Sequence, residues 1–528
     1  MRRKSIFGFI LMLASIAMLP QTASAQELTE RTSGILFEAA TNTQLAEALT
    51  QRRKTLEERQ GEPLQRHQWW LWGLGSFDYD RDGDLDLIVC IHGSTNGMIL
   101  RNELKETGKL TFRDATEQLG LDGVVPSTDN YPLVWDFNGD GFLDIAGLFD
   151  DKKTPCLLNQ GGKRFEEAAF SLHPINYPDS IRDLNGDGYI DIAQTRRDKR
   201  IEFHYNAQSS SFSKSEAPAE PPVALPASLQ AEIDKVREKK ANRFLKLAYF
   251  QPDLNGDGKR DLVIRAFGSY SGERLGWYLM SDDEGRLSEQ AEASGLPRRG
   301  APLLMEDLDH DGDVYVLFSS TAVACLFCIS REVDPLTEFG KQSCPYLHVN
   351  MRDDFDHDGD LGLAVSNRRY GREIVFENLG DGRFAPVLSV RGWDADPMVL
   401  RDINNDGLID VIVGSANGKE SIGVYLNATA KTGNYCQLYL RMDAPNVYAA
   451  GARVEVFPAG ELDRSDPRPL LTEHAHLDGS PLHVGLGDAT AFDLRVTFPG
   501  LEAMELKNVA ARPRLFITPQ GASTSEPK

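Results

Sequence analysis

Positive charge is scarce in this sequence: 57 Lys and Arg face 79 Asp and Glu, for a net charge of −22. Phosphate backbones and anionic membrane surfaces are read by basic residues, so nucleic acid and charged lipid are poor partners for such a chain, whereas bound cations fit it. Long hydrophobic runs are also lacking. Past the first segment no stretch reaches the roughly 18 apolar residues of a bilayer span. Cysteine is sparse, with six in 528 residues (Cys90, Cys156, Cys325, Cys328, Cys344, Cys436). Cys325-x2-Cys328 with Cys344-x3-His348 has the outline of a zinc ligand set, but no second cluster accompanies it, which favours a disulfide or buried thiols. Two catalytic signatures are missing as well, His-Glu-x-x-His and Gly-x-Ser-x-Gly.

What remains is an ordinary globular composition, 41% hydrophobic and 26% charged, in a chain long enough for several domains or one large repeat array. Residues 1–25 read as an export signal. Arg2, Arg3 and Lys4 precede an apolar stretch from Ile6 to Leu19, and Ala23-Ser24-Ala25 offers a small-residue cleavage site. Cleavage would remove three basic residues and take the charge to −25. The mature chain is expected outside the cytoplasm, in a periplasmic, cell-surface or secreted location.

One acidic nonamer recurs seven times. Loop 1 carries Asp78, Asp80, Asp82, Gly83 and Asp86; loop 2 carries Asp136, Asn138, Asp140, Gly141 and Asp144. Loop 3 has Asp183, Asn185, Asp187 and Asp191, and loop 4 has Asp253, Asn255, Asp257 and Asp261. Loop 7 has Asp402, Asn404, Asp406 and Asp410. Loop 5 (Asp307, Asp309, Asp311) and loop 6 (Asp354, Asp356, Asp358) lack the closing carboxylate, having Tyr315 and Gly362 in its place. Successive first Asp residues are 58, 47, 70, 54, 47 and 48 apart, the signature of a repeat architecture. Oxygen donors at positions 1, 3, 5 and 9, with Gly at 6 to allow a tight curl, suit Ca2+, which takes six to eight oxygens in flexible geometry. Ca2+ is expected in the five intact loops; the two degenerate ones could bind weakly or recruit another ligand.

These are not EF-hands. The twelfth positions (Val89, Gly147, Gln194, Ile264, Phe318, Val365, Val413) cannot ligate by side chain, and β-branched runs such as Leu87-Ile88-Val89 follow the loops instead of a helix. Each unit reads as four strands in about 50 residues, the size of a propeller blade. The third strand of many units ends in Asn (Asn159, Asn378, Asn427), and a Gly-rich turn leads to Phe165 or Phe384. The last unit lacks a fourth strand, but Phe37-Glu-Ala-Ala-Thr41 resembles Phe112-Arg-Asp-Ala-Thr116. Residues near 35–42 are therefore expected to close the ring from the opposite end of the chain. Charged helices are expected as surface insertions near 43–66 and 227–242. His310 and His357, at position 4 of loops 5 and 6, are expected to point to solvent.

The acidic loops, apolar strands and Asn-Gly-x-Phe turns resemble the FG-GAP/VCBS repeats of integrin-α-like propellers. The tail resembles an ASPIC/UnbV domain through Gly451-Ala452-Arg453-Val454-Glu455-Val456, His483-Val484-Gly485-Leu486-Gly487 and Phe498-Pro499-Gly500. It departs from that pattern at Asn446-Val-Tyr-Ala-Ala450, and at Phe498-Pro499, where Trp-Pro is common. Together the two parts are similar to the cartilage acidic protein family and its bacterial members. The expected fold is all-β: a seven-bladed β-propeller over 26–432, a small β-sandwich-like domain over 433–519 and a frayed tail over 520–528. Gly485 and Gly487 are read as turn residues. The resemblance implies recognition or adhesion and does not fix the ligand; with the catalytic signatures missing, a non-catalytic monomer that presents its loops to a protein or glycan is expected. A propeller enzyme acting on polysaccharide, as lyase or hydrolase, is the alternative.

Overall fold

The computed structural model describes residues 34–41, 43–65, 69, 71–91, 97–124, 132–146, 154–172, 180–182, 187, 189–195, 200–206, 212–218, 227–238, 246–250, 262–267, 275–281, 287–289, 301–306, 308, 315–319, 324–328, 347–367, 372–380, 384–391, 398–414, 421–430, 433–465, 467 and 469–526. The export segment over 1–25 lies outside them.

The chain is all-β, a seven-bladed β-propeller followed by a two-sheet domain, with nine antiparallel or mixed sheets among the described residues. Each blade is a meander. Blade 1 runs Leu71–Phe77, Asp86–Ile91, Met98–Asn102 and Phe112–Asp114; blade 2 runs Leu133–Trp135, Asp144–Ala146, Thr154–Asn159 and Phe165–Leu172. Blade 3 spans Ser180–Arg182 to Phe212–Pro218, blade 4 Lys246–Phe250 to Leu287–Glu289, and blade 6 Leu347–Asp353 to Phe384–Arg391. Blade 5 shows three strands among the described residues, Ala301–Glu306, Tyr315–Ser319 and Ala324–Cys328. The second strands are buried on both sides by neighbouring blades, which is why Asp86–Ile91 and Asp410–Gly414 read as unbroken apolar runs after their Asp.

Blade 7 (Met398–Arg401, Asp410–Gly414, Ile422–Asn427) takes its fourth strand from the front of the chain. Phe37–Ala39 pairs antiparallel with the third strand, Phe37 opposite Asn427. The same Asn–Phe register recurs as Asn102–Phe112, Asn159–Phe165, Asn206–Phe212 and Asn378–Phe384. The closing strand thus enters in the register of an ordinary fourth strand, as its pentapeptide indicated. Strands of blade 1 also pack against those of blade 7.

The first insertion is a helix, Leu45–Gln60, and it is more than a solvated decoration. Leu45, Leu49 and Leu56 lie on one face and enter the apolar cluster shared by blades 1 and 7. Arg52 on that face is 2% exposed and pairs with Asp122 at 2.9 Å. The second insertion contains the helix Ala227–Glu238.

The final domain has two sheets. One centres on Asn434–Leu440, flanked by Leu482–Gly487 and, in parallel, Arg514–Thr518; the other pairs Arg453–Pro458 with Leu471–His474 and Ala491–Thr497. An apolar cluster runs from Leu361, Leu363 and Val365 of blade 6 into this domain's Leu438, Val484 and Phe492. The tail does not fray where expected: Gly521–Ser523 adds an edge strand beside Arg514–Thr518, and Glu526 accepts from Arg441 Nε at 2.9 Å. Strand pairing and that ion pair hold a segment whose Ser/Thr composition alone suggested disorder.

Candidate metal centre in the acidic loops

The four acidic loops described through their donor positions, 1, 2, 6 and 7, share one backbone design. Each joins the first strand of its blade to the second. Position 6 is a left-handed glycine (Gly83, Gly141, Gly359, Gly407), and position 4 is left-handed too, occupied by Arg81, Gly139, His357 or Asn405 with φ between 58° and 73°. Two left-handed residues in three turn successive N–H groups inward onto the first carboxylate. Asp136 accepts from the N–H groups of Gly139, Asp140 and Gly141 at 2.7, 3.1 and 2.8 Å. Asp78 accepts from Asp82 and Gly83, Asp354 from Asp356 and Gly359, and Asp402 from Asp406 and Gly407. His357 therefore owes its place to histidine's tolerance of the left-handed region. It does not point to solvent: it is 3% exposed, with its ring 4.4 Å from that of Tyr435.

The ninth-position carboxylates are the most buried. Asp86, Asp144, Asp191 and Asp410 are at most 1% exposed. One oxygen accepts the N–H of the Asn that ends the third strand, as Asp144 Oδ1 does from Asn159 at 2.7 Å; the other accepts the second-position N–H, as Asp144 Oδ2 does from Phe137 at 2.9 Å. The same Asn then reaches into the neighbouring blade. Asn159 Nδ2 donates to the Tyr79 carbonyl at 2.8 Å, Asn206 to Phe137, Asn378 to Leu308, Asn427 to Phe355 and Asn102 to Ile403. Every acceptor is position 2 of the preceding loop, so loops 1, 2 and 7 are tied both to their own third strand and to the next blade.

In loop 1, oxygens of Asp78, Asp80 and Asp86 lie within 4.8 Å of one another, as do those of Asp354, Asp356 and Asp358 in loop 6. That spacing is about twice a Ca2+–oxygen distance of roughly 2.3–2.6 Å. Asp80 Oδ1 is buried with no hydrogen-bond donor, a vacancy in the donor count that a hard cation fits. Asp82 belongs to a second group with Asp84 and Glu106. Loops 2 and 7 share the backbone scheme but form no such three-carboxylate group among the described residues. Their third-position amides bond the fifth carboxylates instead, Asn138 to Asp140 at 3.0 Å and Asn404 to Asp406 at 2.8 Å. Of loop 3, Asp187 and Asp191 are described, and Asp187 Oδ1 accepts from Tyr189 N–H as its counterparts do. Asp183, Asn185, Asp253, Asn255, Asp257, Asp261, Asp307, Asp309 and Asp311 lie outside the described residues.

Burial and mutual repulsion hold these carboxyls above their ordinary range. Burial is the larger cause, with the neighbouring carboxylates adding to it; it pushes Asp78 up to about 7 and Asp136 and Asp402 to about 6. Asp86, Asp144, Asp354 and Asp410 are raised well above 3.8 for the same reasons.

Two residues just before the third-strand Asn were not singled out from sequence. Arg101 Nη2 lies 2.8 Å from Asp80, 3.1 Å from Asp82 and 2.6 Å from Glu106, offsetting the extra carboxylate that Asp80 gives loop 1 where loops 2 and 7 have Asn. Glu377 holds the matching place in blade 6, buried, with its carboxyl beside Asp356. It brings a fourth carboxyl to the loop that has Gly362 at position 9. The signal was the charge of the residue preceding the Asn, which is Leu in Leu158 and Leu426. Of the six cysteines, Cys90, Cys156 and Cys436 are buried thiols. Among the described residues no helix is long and apolar enough to cross a membrane.

No protein-family model matches the sequence, and no curated protein does. Solved structures it is similar to include BBS1N in complex with ARL6DN (11% identity, 69% of this chain and 94% of that one, TM-score 0.33). Two others are a protein from Lactobacillus plantarum (15%, 65% and 87%, TM-score 0.31) and a post-proline cleaving enzyme from Rickettsia typhi (10%, 87% and 61%, TM-score 0.31). At such TM-scores the architecture rests on the strand pairing itself.

Proposed function

We propose that the protein is an exported, non-catalytic binding or scaffold protein whose propeller is stabilised by Ca2+ held in the acidic loops, and that it is a relative of FG-GAP/VCBS proteins with an ASPIC/UnbV tail. One observation carries this reading. Among the described residues, oxygens of three carboxylates gather within 4.8 Å in loops 1 and 6, the same place in two blades, with Asp80 Oδ1 left without a donor. Positions 1, 3, 5 and 9 would hold the ion, and Glu377 replaces the missing ninth carboxylate in loop 6. The ion supplies charge neutralisation and cross-links two strands of one blade. The chain's own residues do the rest: backbone N–H groups orient the first carboxylate, and the third-strand Asn carries the fixed loop to the next blade. The surfaces of the ring that the second domain leaves uncovered would then be presented, rigid, to a protein or glycan.

Ca2+ modules outside cells bind at about 10⁻⁴–10⁻³ M. At 1 mM, a site of about 10⁻⁴ M contributes about 1.4 kcal/mol. Five such sites amount to about 7 kcal/mol and a melting shift on the order of 10 °C for a chain this long. Differential scanning calorimetry with EDTA and then excess CaCl2 or MgCl2 tests this. Recovery by Ca2+ is expected to exceed recovery by Mg2+, and a Tm indifferent to both would rule out the cation role.

A further inference from the structure

The second domain stands on the acidic loops and touches at least three of them. In loop 7, Gln437, 4% exposed, donates through Nε2 to Asp402 Oδ2 at 2.9 Å. Tyr439 O–H donates to Gln437 Oε1 at 3.4 Å, which sets which end of the amide faces the loop. In loop 6, Gly487 N–H donates to the His357 carbonyl at 2.8 Å. In loop 2, Tyr448 O–H donates to the Gly141 carbonyl at 2.7 Å. Arg401–Asp478 and Arg352–Glu473 ion pairs, at 3.2 and 2.7 Å, tie the strands leading into loops 7 and 6 to the same domain.

The contact has no slack. A Cβ on Gly485 would overlap the Asp354 carboxylate, one on Gly433 the His357 carbonyl, and one on Gly407 the Tyr435 ring. Gly485 and Gly487 thus serve close approach to loop 6, beyond the turn role expected of them. Surfaces packed backbone to backbone do not deform smoothly, so a change in loop shape is passed on as loss of contact.

Gln437 also completes a donor set. Asp136 in loop 2 has three backbone donors, whereas Asp402 in loop 7 has two, from Asp406 and Gly407. The third donor comes from the other domain. We propose that Gln437 is a positioning residue for the loop 7 cation site, supplied by the second domain, so that cation loading of the loops and docking of that domain are linked. This rests on the Ca2+ reading above. Linkage is reciprocal: if docking orients Asp402 for the ion, the ion strengthens docking by the same factor.

The test uses the full mature chain with CaCl2 as the probe, measuring Ca2+ affinity by titration calorimetry and domain docking by small-angle X-ray scattering. Chelation is expected to enlarge the wild-type particle and Ca2+ to restore it. Gln437→Ala should weaken one class of sites about five-fold or more, the lower end of coupling strengths, and raise the Ca2+ needed for compaction. Gln437→Asn should recover part of the loss. Tyr448→Phe, which keeps the ring, should raise the Ca2+ needed for compaction through loop 2 even if the Gln437 variants fail to fold. Ca2+ uptake with unchanged scattering, and with wild-type affinity in the Gln437 and Tyr448 variants, would overturn the linkage alone. Absence of Ca2+ uptake would overturn the linkage and the cation reading together.

Discussion

Asn159→Ala is expected to destabilise the protein by about 3–5 kcal/mol, far more than its single side-chain amide suggests. Asn159 is fully buried. Its Nδ2 donates to the carbonyls of Tyr79 and Leu143 at 2.8 and 3.1 Å, and its Oδ1 accepts from Gly162 N–H at 2.8 Å. Alanine leaves three backbone groups short of a partner, at about 1–3 kcal/mol for each that is buried and unsatisfied. Two of them lie in acidic loops of different blades, so the loss removes a polar tie between blades 1 and 2 and leaves their shared apolar cluster. Asn159→Asp keeps the acceptor but sets a carboxylate against two carbonyls and beside Asp144, and should be no better. Gln160→Ala, one residue on and exposed, should change stability by less than about 0.5 kcal/mol. Urea unfolding of the Ca2+-loaded protein measures all three.

The second large effect is an inverted pH dependence. Asp78 is raised to about 7, and Asp136 and Asp402 to about 6, from 3.8 in an unfolded chain. The cation-free folded state then holds protons that the unfolded state releases. Their contribution to its stability is fully present below about pH 4 and is lost as pH rises through the window from about 4 to 7. For Asp78 alone the loss by neutral pH is roughly 4 kcal/mol. Bound Ca2+ displaces those protons and favours the ionised carboxylates, so the loaded protein should instead gain stability over the same window. Melting of EDTA-treated protein at pH 5 and pH 7.5 should give the higher Tm at pH 5, and CaCl2 should reverse the order. A cation-free protein more stable at pH 7.5 would mean that the loops do not store this repulsion.

Much of this design is local and therefore legible in the sequence. The nonamer sets its own curl, the apolar run after it sets the strand, and Phe37-Glu-Ala-Ala-Thr41 repeats a fourth strand closely enough to place the ring's seam. What escaped notice depends on contacts distant in the chain. Asn at the end of the third strand is visible as a repeat, but its bond to the preceding loop crosses between blades and has no sequence period of its own. His357 was expected to face solvent because Gly139, Arg81, His357 and Asn405 at position 4 share a backbone conformation and no side-chain chemistry that would mark it. Glu377 brings a carboxyl to the loop that has Gly at position 362, yet lies in a different strand, so only its charge hinted at it. The docking of the second domain through Gln437 and Tyr448 had no local signature.

Calorimetric titration of the metal-free mature protein with CaCl2, run at one pH in two buffers of different ionisation enthalpy, bears most directly on whether the loops are cation sites. The expected result is saturable uptake of about five or more Ca2+ per chain, matching the five intact loops, at sub-millimolar to millimolar affinity. The heats should differ between buffers because protons leave the raised carboxyls as the ion enters. Heats no larger than dilution, or uptake without proton release at pH 6, would contradict it.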